Sequence, residues 1–155
     1  ALLFLGRAVR ASARRRRALV HTASTSGLFA NPGQSNYGAA KSGIATLSQI
    51  AAQELARYEV VSNCILPGAR TRLTLASPGL PELMAAAEGA FDTWDPANAS
   101  PLVAYLSSEA CRFTGETFSV MGGLVQRMHP WTVGESVDSV TGWTASMLSA
   151  ALDAL

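Results

Sequence analysis

Two short runs of apolar, β-prone residues, separated by a segment of helical periodicity, limit the folds that this chain can adopt. The first run, ALVHTAS, covers residues 18–24, and the second, VVSNCIL, covers residues 60–66. Between them, apolar side chains recur at spacings of three and four from Ser35, a possible N-cap, to about Tyr58, as in a helix with one buried face. A strand, a long helix and a second strand predict a parallel βαβ unit.

The rest of the chain continues this alternation. The pattern predicts a helix over residues 96–108, a third strand over residues 117–121 and a final amphipathic helix over residues 133–155. Apolar residues between positions 2 and 9 suit a further helix before the first strand. No internal repeat or linker in the sequence marks a second domain. We therefore expect one α/β unit, in which the closely apolar second run is a strand covered on both faces.

Composition and charge narrow the function classes. The chain is 48% apolar and 15% charged over 155 residues, which suffices for a sizeable core and argues against disorder. A net charge of +1 and the lack of a long apolar run predict a cytoplasmic protein that binds neither nucleic acid nor a membrane. Cys64 and Cys111 are too few and too far apart for a disulfide framework or a metal site, so they are interpreted as free, buried thiols.

Four consecutive arginines, Arg14 to Arg17, precede the first strand. They suit the last turn of the N-terminal helix, where cations complement the helix dipole. The alternative is a nucleic-acid patch, which the near-neutral net charge and the lack of interleaved aromatic residues disfavour.

The chain has eleven arginines and a single lysine, Lys41, four residues after Tyr37. Residues at i and i+4 are neighbours on one helix face, here in the first turns of the long helix. A free tyrosine titrates near pH ~10, and a neighbouring ammonium favours the phenolate, so Tyr37 is a candidate general acid or base. Ser24 ends the preceding strand, on the side where open α/β sheets bind ligands. The three residues are therefore predicted to converge.

The segments TASTSG, NYGAAK and NCILPG, with a late strand followed by MGG, together resemble the short-chain dehydrogenase/reductase family over nearly the whole chain. The matching residues are Ser24, Tyr37, Lys41, Asn63, Pro67 and Gly68. The resemblance implies a doubly wound, Rossmann-like parallel sheet with helices on both faces. It also implies hydride transfer between NAD or NADP and a carbonyl or hydroxyl carbon of a small molecule, in a homo-oligomeric enzyme.

The resemblance also implies roles for individual residues. Tyr37 would exchange the proton, Ser24 would hold the substrate oxygen, and Lys41 would favour the phenolate while binding the nicotinamide ribose. Tyr37 and Lys41 would thus contact the cofactor as well. Pro67 and Gly68, at the start of a loop, would line the nicotinamide, and Thr71 would contact its carboxamide.

One departure from the family pattern is plain. Members begin with a strand and a glycine-rich turn whose amides hold the cofactor pyrophosphate, and residues 1–155 contain no such stretch. We therefore expect residues 1–155 to be the C-terminal part, about half, of a single Rossmann-like domain. A non-catalytic remnant or interaction module that keeps this half of the fold is the alternative.

Further details resemble the hydroxyacyl-CoA dehydrogenase-like and 3-oxoacyl reductase-like members of the family. Residues 73–89 would form the mobile substrate loop, whose leucines suit an apolar acyl or steroid-like substrate or, equally, simply close the core. His21 is interpreted as a strand residue and His129 as part of the packing of the tail, because the proton relay is already supplied.

Overall fold

A computed structural model of the chain describes residues 17–86, 88–129 and 131–155. Within these residues, one four-stranded sheet has the strand order β1 (Arg17–Thr22), β2 (Val60–Gly68), β3 (Thr117–Met121) and β4 (Leu124–Met128). The helices are α1 (Ser26–Phe29), α2 (Ser35–Leu55), α3 (Arg72–Leu75), α4 (Leu80–Leu83), α5 (Ser100–Ser107) and α6 (Ala145–Leu152), with 3-10 turns at Ala56–Tyr58 and Pro96–Ala99. The helix predicted over residues 2–9 lies outside the described residues.

The pairing of the first three strands confirms the predicted βαβ unit. β1 pairs in parallel with β2, with His21 opposite Cys64, and β2 pairs in parallel with β3, with Cys64 opposite Thr117. Helix α2 makes the crossover from β1 to β2. β4 was not predicted; it runs antiparallel to β3 after a turn at Gly122 and Gly123, so the described sheet is mixed rather than wholly parallel.

Helices cover both faces of the sheet, as predicted. On one face, Ala51 and Leu55 of α2 pack with Val60 and the partly buried Leu19. On the other face, Leu106 of α5 packs against the sheet. Its cluster contains the partly buried Val20 and three further buried residues, which are Ile65, Cys111 and Phe118. Leu19 and Val20 are adjacent in β1 and point to opposite faces, which is the alternation that a two-sided core requires.

Several predicted element boundaries were wrong. The final helix is limited to Ala145–Leu152. Its N-cap residue is Thr144, whose hydroxyl accepts a hydrogen bond from the amide of Met147 at 3.3 Å, after a left-handed Gly142. Helix α2 has Gln34, not Ser35, as its N-cap residue. β1 ends at Thr22, two residues before Ser24. Arg17 begins β1 instead of closing a helix.

In the described part of the chain, no helix is long and apolar enough to cross a membrane. The same residues contain no cluster of three His, Cys, Asp or Glu side chains that could hold a metal ion.

Candidate active site

Lys41 joins the first turns of α2 to the carboxyl end of β1. Its Nζ donates a hydrogen bond to the carbonyl oxygen of Thr22, the last residue of β1, at 3.0 Å. The same Nζ lies 5.7 Å from the centroid of the Tyr37 ring, within the range of a cation–π contact. Tyr37 is 43% exposed, so its ring remains open to a ligand. The structure therefore brings Tyr37 and Lys41 together at the end of the strand.

Ser24 lies in the turn between β1 and α1. Ala23, just before it, extends the strand ladder by donating its amide to the carbonyl of Ile65 at 2.9 Å. The Ser24 hydroxyl oxygen accepts a hydrogen bond from the amide of Ser26 at 3.2 Å, and the Ser24 carbonyl accepts one from Gly27 at 3.0 Å. Because Ser24 Oγ acts as the acceptor in its local bond, its hydroxyl hydrogen can still be donated to a ligand.

Gly27 permits a close approach of α1 to α2 and so sets the position of Ser24 relative to Lys41. A Cβ atom at Gly27 would lie 2.6 Å from the Ser42 nitrogen and 2.8 Å from the Lys41 carbonyl carbon. Gly38 permits a milder contact, since its Cβ would lie 3.1 Å from the Ser26 oxygen. The sequence analysis missed Gly27, because a glycine in a TSG turn already has a local explanation and only the folded chain shows this contact.

The predicted cofactor-binding residues after β2 lie at the same edge of the sheet. Pro67 and Gly68 do not begin a loop as predicted; they are the last two residues of β2 and pair with Val120 and Met121. Because β1 and β2 are parallel, their carboxyl ends lie side by side. Pro67 and Gly68 are therefore placed beside the strand end that carries the Thr22 carbonyl.

Thr71 is the N-cap residue of α3. Its Oγ1 accepts a hydrogen bond from the amide of Thr74 at 3.2 Å, and the Thr71 amide donates to Thr74 Oγ1 at 2.7 Å, which together form a capping box. Thr71 is exposed, and its hydroxyl oxygen is already used as an acceptor. The Thr71 hydroxyl also lies 3.3 Å from Thr74 Oγ1, where either group could be the donor, and it can turn to donate to a ligand instead.

Asn63, part of the matching NCILPG segment, is fully buried and has a structural role in this chain. Its Nδ2 donates to the carbonyl of Phe113 at 2.9 Å, and its Oδ1 accepts from the amide of Glu116 at 3.1 Å. Asn63 thereby ties β2 to the loop that leads into β3.

Two titratable groups lie in the strands beneath the site. Burial raises the pKa of the Cys64 thiol, and the backbone amide of Ala23 and the ammonium of Lys41 partly oppose that rise in pKa. Burial also lowers the pKa of His21, whose Nε2 atom has no hydrogen-bond partner among the described residues. Both observations agree with the interpretation of Cys64 as a buried thiol and of His21 as a strand residue.

A cavity of about 300 Å³ lies on another side of the α1 segment, between α2, the end of β4 and the tail. Its lining includes Phe29, Ser42, Gln49, Met128 and Trp131. Ser24, Tyr37 and Lys41 do not line this cavity, so the chemical groups of the candidate site open elsewhere, at the carboxyl edge of the sheet.

A protein-family model described as enoyl-(acyl carrier protein) reductase, of the short-chain dehydrogenase/reductase type, matches residues 1–125, which is most of the chain. The chain belongs to the short-chain dehydrogenase/reductase family. The family assignment agrees with the resemblance found in the sequence and with the Rossmann-like arrangement of β1, α2 and β2.

Three relatives illustrate where the chain falls within the family. Hydroxyacyl-CoA dehydrogenase ChsB1 of Mycobacterium tuberculosis is 38% identical over 86% of this chain and 42% of the relative. A short chain dehydrogenase from Mycobacterium avium superimposes with a TM-score of 0.79 and 36% identity over 97% of this chain and 49% of that structure. A 4-hydroxyisoleucine dehydrogenase in complex with NADH has a TM-score of 0.56 and 30% identity over 70% of this chain and 46% of that structure. The chain thus spans less than half the length of each of these relatives.

Proposed function

We propose that the protein to which this chain belongs is an NAD(P)-dependent oxidoreductase that transfers a hydride between a nicotinamide and a carbonyl or hydroxyl carbon. One observation carries the proposal: Lys41 Nζ is held 3.0 Å from the Thr22 carbonyl while the Tyr37 ring lies 5.7 Å away on the same helix face. These contacts support a site at the end of β1, two residues before Ser24, in which an ammonium and a phenol ring act together. Family membership and the NADH complex of a related dehydrogenase support the nicotinamide cofactor.

The donors of the site fit a nicotinamide nucleoside. An ammonium has three hydrogen-bond donors, and the Thr22 carbonyl uses one at Lys41, which leaves two for the hydroxyls of a ribose. Tyr37 would contact the same ribose from the neighbouring turn. Pro67 and Gly68 would line the nicotinamide from the end of β2, and the Thr71 hydroxyl would donate to its carboxamide oxygen.

Ser24, Tyr37 and Lys41 divide the chemical work in the proposed reaction. In the oxidation direction, Ser24 Oγ donates its hydrogen to the substrate oxygen, and the Tyr37 phenolate accepts the hydroxyl proton. Lys41 stabilises that phenolate by its positive charge. A bound nicotinamide would supply the hydride chemistry, as the hydride acceptor in this direction and as the hydride donor in the reverse direction. In reduction, Tyr37 donates the proton to the carbonyl oxygen as that oxygen becomes a hydroxyl.

The names of the relatives suggest the substrate class, and the share of each relative that the chain covers suggests that the whole protein is longer. Because ChsB1 is named a hydroxyacyl-CoA dehydrogenase, we propose a 3-hydroxyacyl thioester or a steroid-like alcohol as substrate. Since the chain spans 42% and 49% of two relatives, we also propose that residues 1–155 are the C-terminal part of one Rossmann-like domain. A homo-oligomer in the cytoplasm remains our prediction for the whole protein.

Replacement of Tyr37 by Phe in the whole protein tests the proposal. The change removes one exchangeable proton and little volume, so turnover of a 3-hydroxyacyl thioester with NAD or NADP should fall by about 10²-fold or more. Lys41→Arg keeps the charge but replaces a compact ammonium with a planar fork, so it should also lower kcat. Tyr105→Phe on α5 is the matched control and should leave turnover unchanged.

The thermal unfolding midpoint of each variant should match that of the wild-type protein, so that a loss of turnover is chemical. Retention of more than about a tenth of the wild-type rate by Tyr37→Phe would contradict the acid/base assignment, given the usual size of such terms. A wild-type protein without nicotinamide-dependent turnover would instead favour the non-catalytic alternative.

A further inference from the structure

Arg70 lies two residues beyond the end of β2 and immediately before the segment formed by residues 71–91. Its hydrogen bonds join the two ends of this segment. Its amide donates to the carbonyl of Trp94 at 2.7 Å, and its guanidinium Nη1 donates to the carbonyl of Met84 at 2.6 Å. The guanidinium also forms an ion pair with the Asp92 carboxylate, in which Nη1 lies 3.3 Å from Oδ1. The Arg70 side chain therefore links the middle of the segment, at Met84, and the residue just after it, Asp92, to the end of β2.

Asp92 is itself hydrogen-bonded to the residues that follow it. The Asp92 carboxylate accepts a hydrogen bond from the Trp94 amide at 3.0 Å, and the Asp92 carbonyl accepts one from Asn98 Nδ2 at 2.8 Å. The next residue, Thr93, lies against the turn between β3 and β4, where a Cβ on Gly122 would be 2.9 Å from Thr93 Cγ2. Arg70 thus binds to a residue that has two further hydrogen bonds of its own.

The segment between these ends is only partly packed. Met84, whose carbonyl Arg70 holds, is 5% exposed, whereas Leu73 is 82% exposed and Leu83 is 66% exposed. The side chains of Arg70 and Asp92 are 26% and 22% exposed, so solvent screens their attraction less than it would on an open surface. The segment therefore exposes apolar side chains, and the polar contact between Arg70 and Asp92 holds it in place more than the packing of its own side chains does.

From these contacts we infer that Arg70 is a positioning residue for the substrate. Through Asp92 and the Met84 carbonyl it holds residues 71–86 so that their exposed leucines form an apolar wall beside the carboxyl ends of β1 and β2. The inference rests on the proposed function, because the wall is useful only if an apolar substrate reaches Ser24 and Tyr37. Arg70 does not touch the reacting atoms in this scheme.

Variants of the whole protein test the inference with two readouts. Arg70→Gln and Asp92→Asn each remove the ion pair, and Arg127→Gln, which breaks the Arg127–Glu116 ion pair of β4, is the matched control. Chymotrypsin should cleave within residues 71–91 roughly tenfold faster in the first two variants, and their KM for an apolar substrate should rise roughly tenfold with little change in kcat, the loss expected of charge-assisted hydrogen bonds. The Arg127→Gln variant should show neither change.

The double variant Arg70→Gln/Asp92→Asn should be no worse than Arg70→Gln alone, because Arg70→Gln already removes both the ion pair with Asp92 and the bond to the Met84 carbonyl. Cleavage at the wild-type rate in both single variants would overturn the positioning role whether or not the protein is an oxidoreductase. Faster cleavage with an unchanged KM would overturn the proposed apolar wall while leaving the proposed function intact. Equal effects of Arg127→Gln would show that the changes reflect general destabilisation and would also overturn the inference.

Discussion

Gly27→Ala is expected to move the α1 segment, which follows Ser24, away from Tyr37 and Lys41 in α2. The Cβ would lie 2.6 Å from the Ser42 nitrogen and 2.8 Å from the Lys41 carbonyl carbon, and both atoms belong to the backbone of a 21-residue helix. Neither can move aside as the end of a flexible side chain could. Overpacking of this kind typically costs about 1–3 kcal/mol, so the free energy of unfolding should fall by that amount.

The backbone conformation at Gly27 is not left-handed, so alanine is tolerated there apart from this contact. Gly43 provides the matched control, since it lies in the same helix α2 and a Cβ there would meet no atom within 4 Å. Gly43→Ala should raise the free energy of unfolding by roughly 0.5–1 kcal/mol, because alanine is the better helix former. The two substitutions add the same methyl group and should change stability in opposite directions.

Urea unfolding of the whole protein, followed by circular dichroism, gives the two free energies, and steady-state assays give kcat. The displaced α1 segment includes the turn that follows Ser24. Gly27→Ala should therefore also lower kcat, and by a larger factor than the factor by which KM rises. A Gly27→Ala protein as stable as Gly43→Ala would refute the argument that the α1–α2 approach requires a glycine. Unchanged kcat in a destabilised Gly27→Ala protein would refute its link to the site.

Two further predictions concern the strands beneath the site. Asn63→Ala should lower the free energy of unfolding by roughly 1–3 kcal/mol, because the part-buried amide of Glu116 loses its acceptor and the carbonyl of Phe113 keeps only the Cys111 thiol as a donor. The exposed Asn36→Ala should change the free energy of unfolding by less than about 0.5 kcal/mol, and equal effects in urea unfolding would contradict this role of Asn63. Burial lowers the pKa of His21, so stability should be complete above pH ~6.5 and fall as the pH drops from there toward the lower pKa of the folded state; a His21→Leu protein whose melting temperature declines equally between pH 7 and 5 would rule this out.

The elements with strong periodicity were predictable from the sequence, and they are the ones that position the site. The strand over Thr117–Met121 agrees with its prediction, and α2 begins within one residue of the predicted start and continues as a 3-10 turn to Tyr58, as predicted. Both are bounded by residues with clear local preferences. The proximity of Tyr37 and Lys41 followed directly from their spacing on that helix.

Elements with little burial were missed or misplaced. β4 is exposed along four of its five residues, so it lacks the hydrophobic alternation that marks a strand. Its signal is the Gly122–Gly123 pair between two β-prone runs, which is typical of a two-residue hairpin turn. The final helix was predicted too long, because its apolar residues recur at helical spacing even across the breaks at Gly134 and Gly142. In β4 a strand lacks the expected periodicity, whereas here the periodicity extends beyond the helix.

The contacts that complete the candidate site could not be predicted from the sequence alone. The approach of Gly27 to Lys41 and the contact between Arg70 and Asp92 join residues whose separation along the chain carries no periodic signal. Each depends on where two segments cross after folding. The candidate residues Ser24, Tyr37 and Lys41 could therefore be proposed from the sequence, whereas Gly27, Arg70 and Asp92 could not.

The bond from Lys41 to the Thr22 carbonyl has a consequence for mutational tolerance at position 22. The acceptor is a main-chain carbonyl oxygen, which every other residue type also has, and the Thr22 side chain is exposed. The ammonium is therefore tied to the path of the strand and not to the identity of a side chain. Substitutions at position 22 can accumulate while the anchor of the lysine persists, so an invariant geometry at this site does not require an invariant residue.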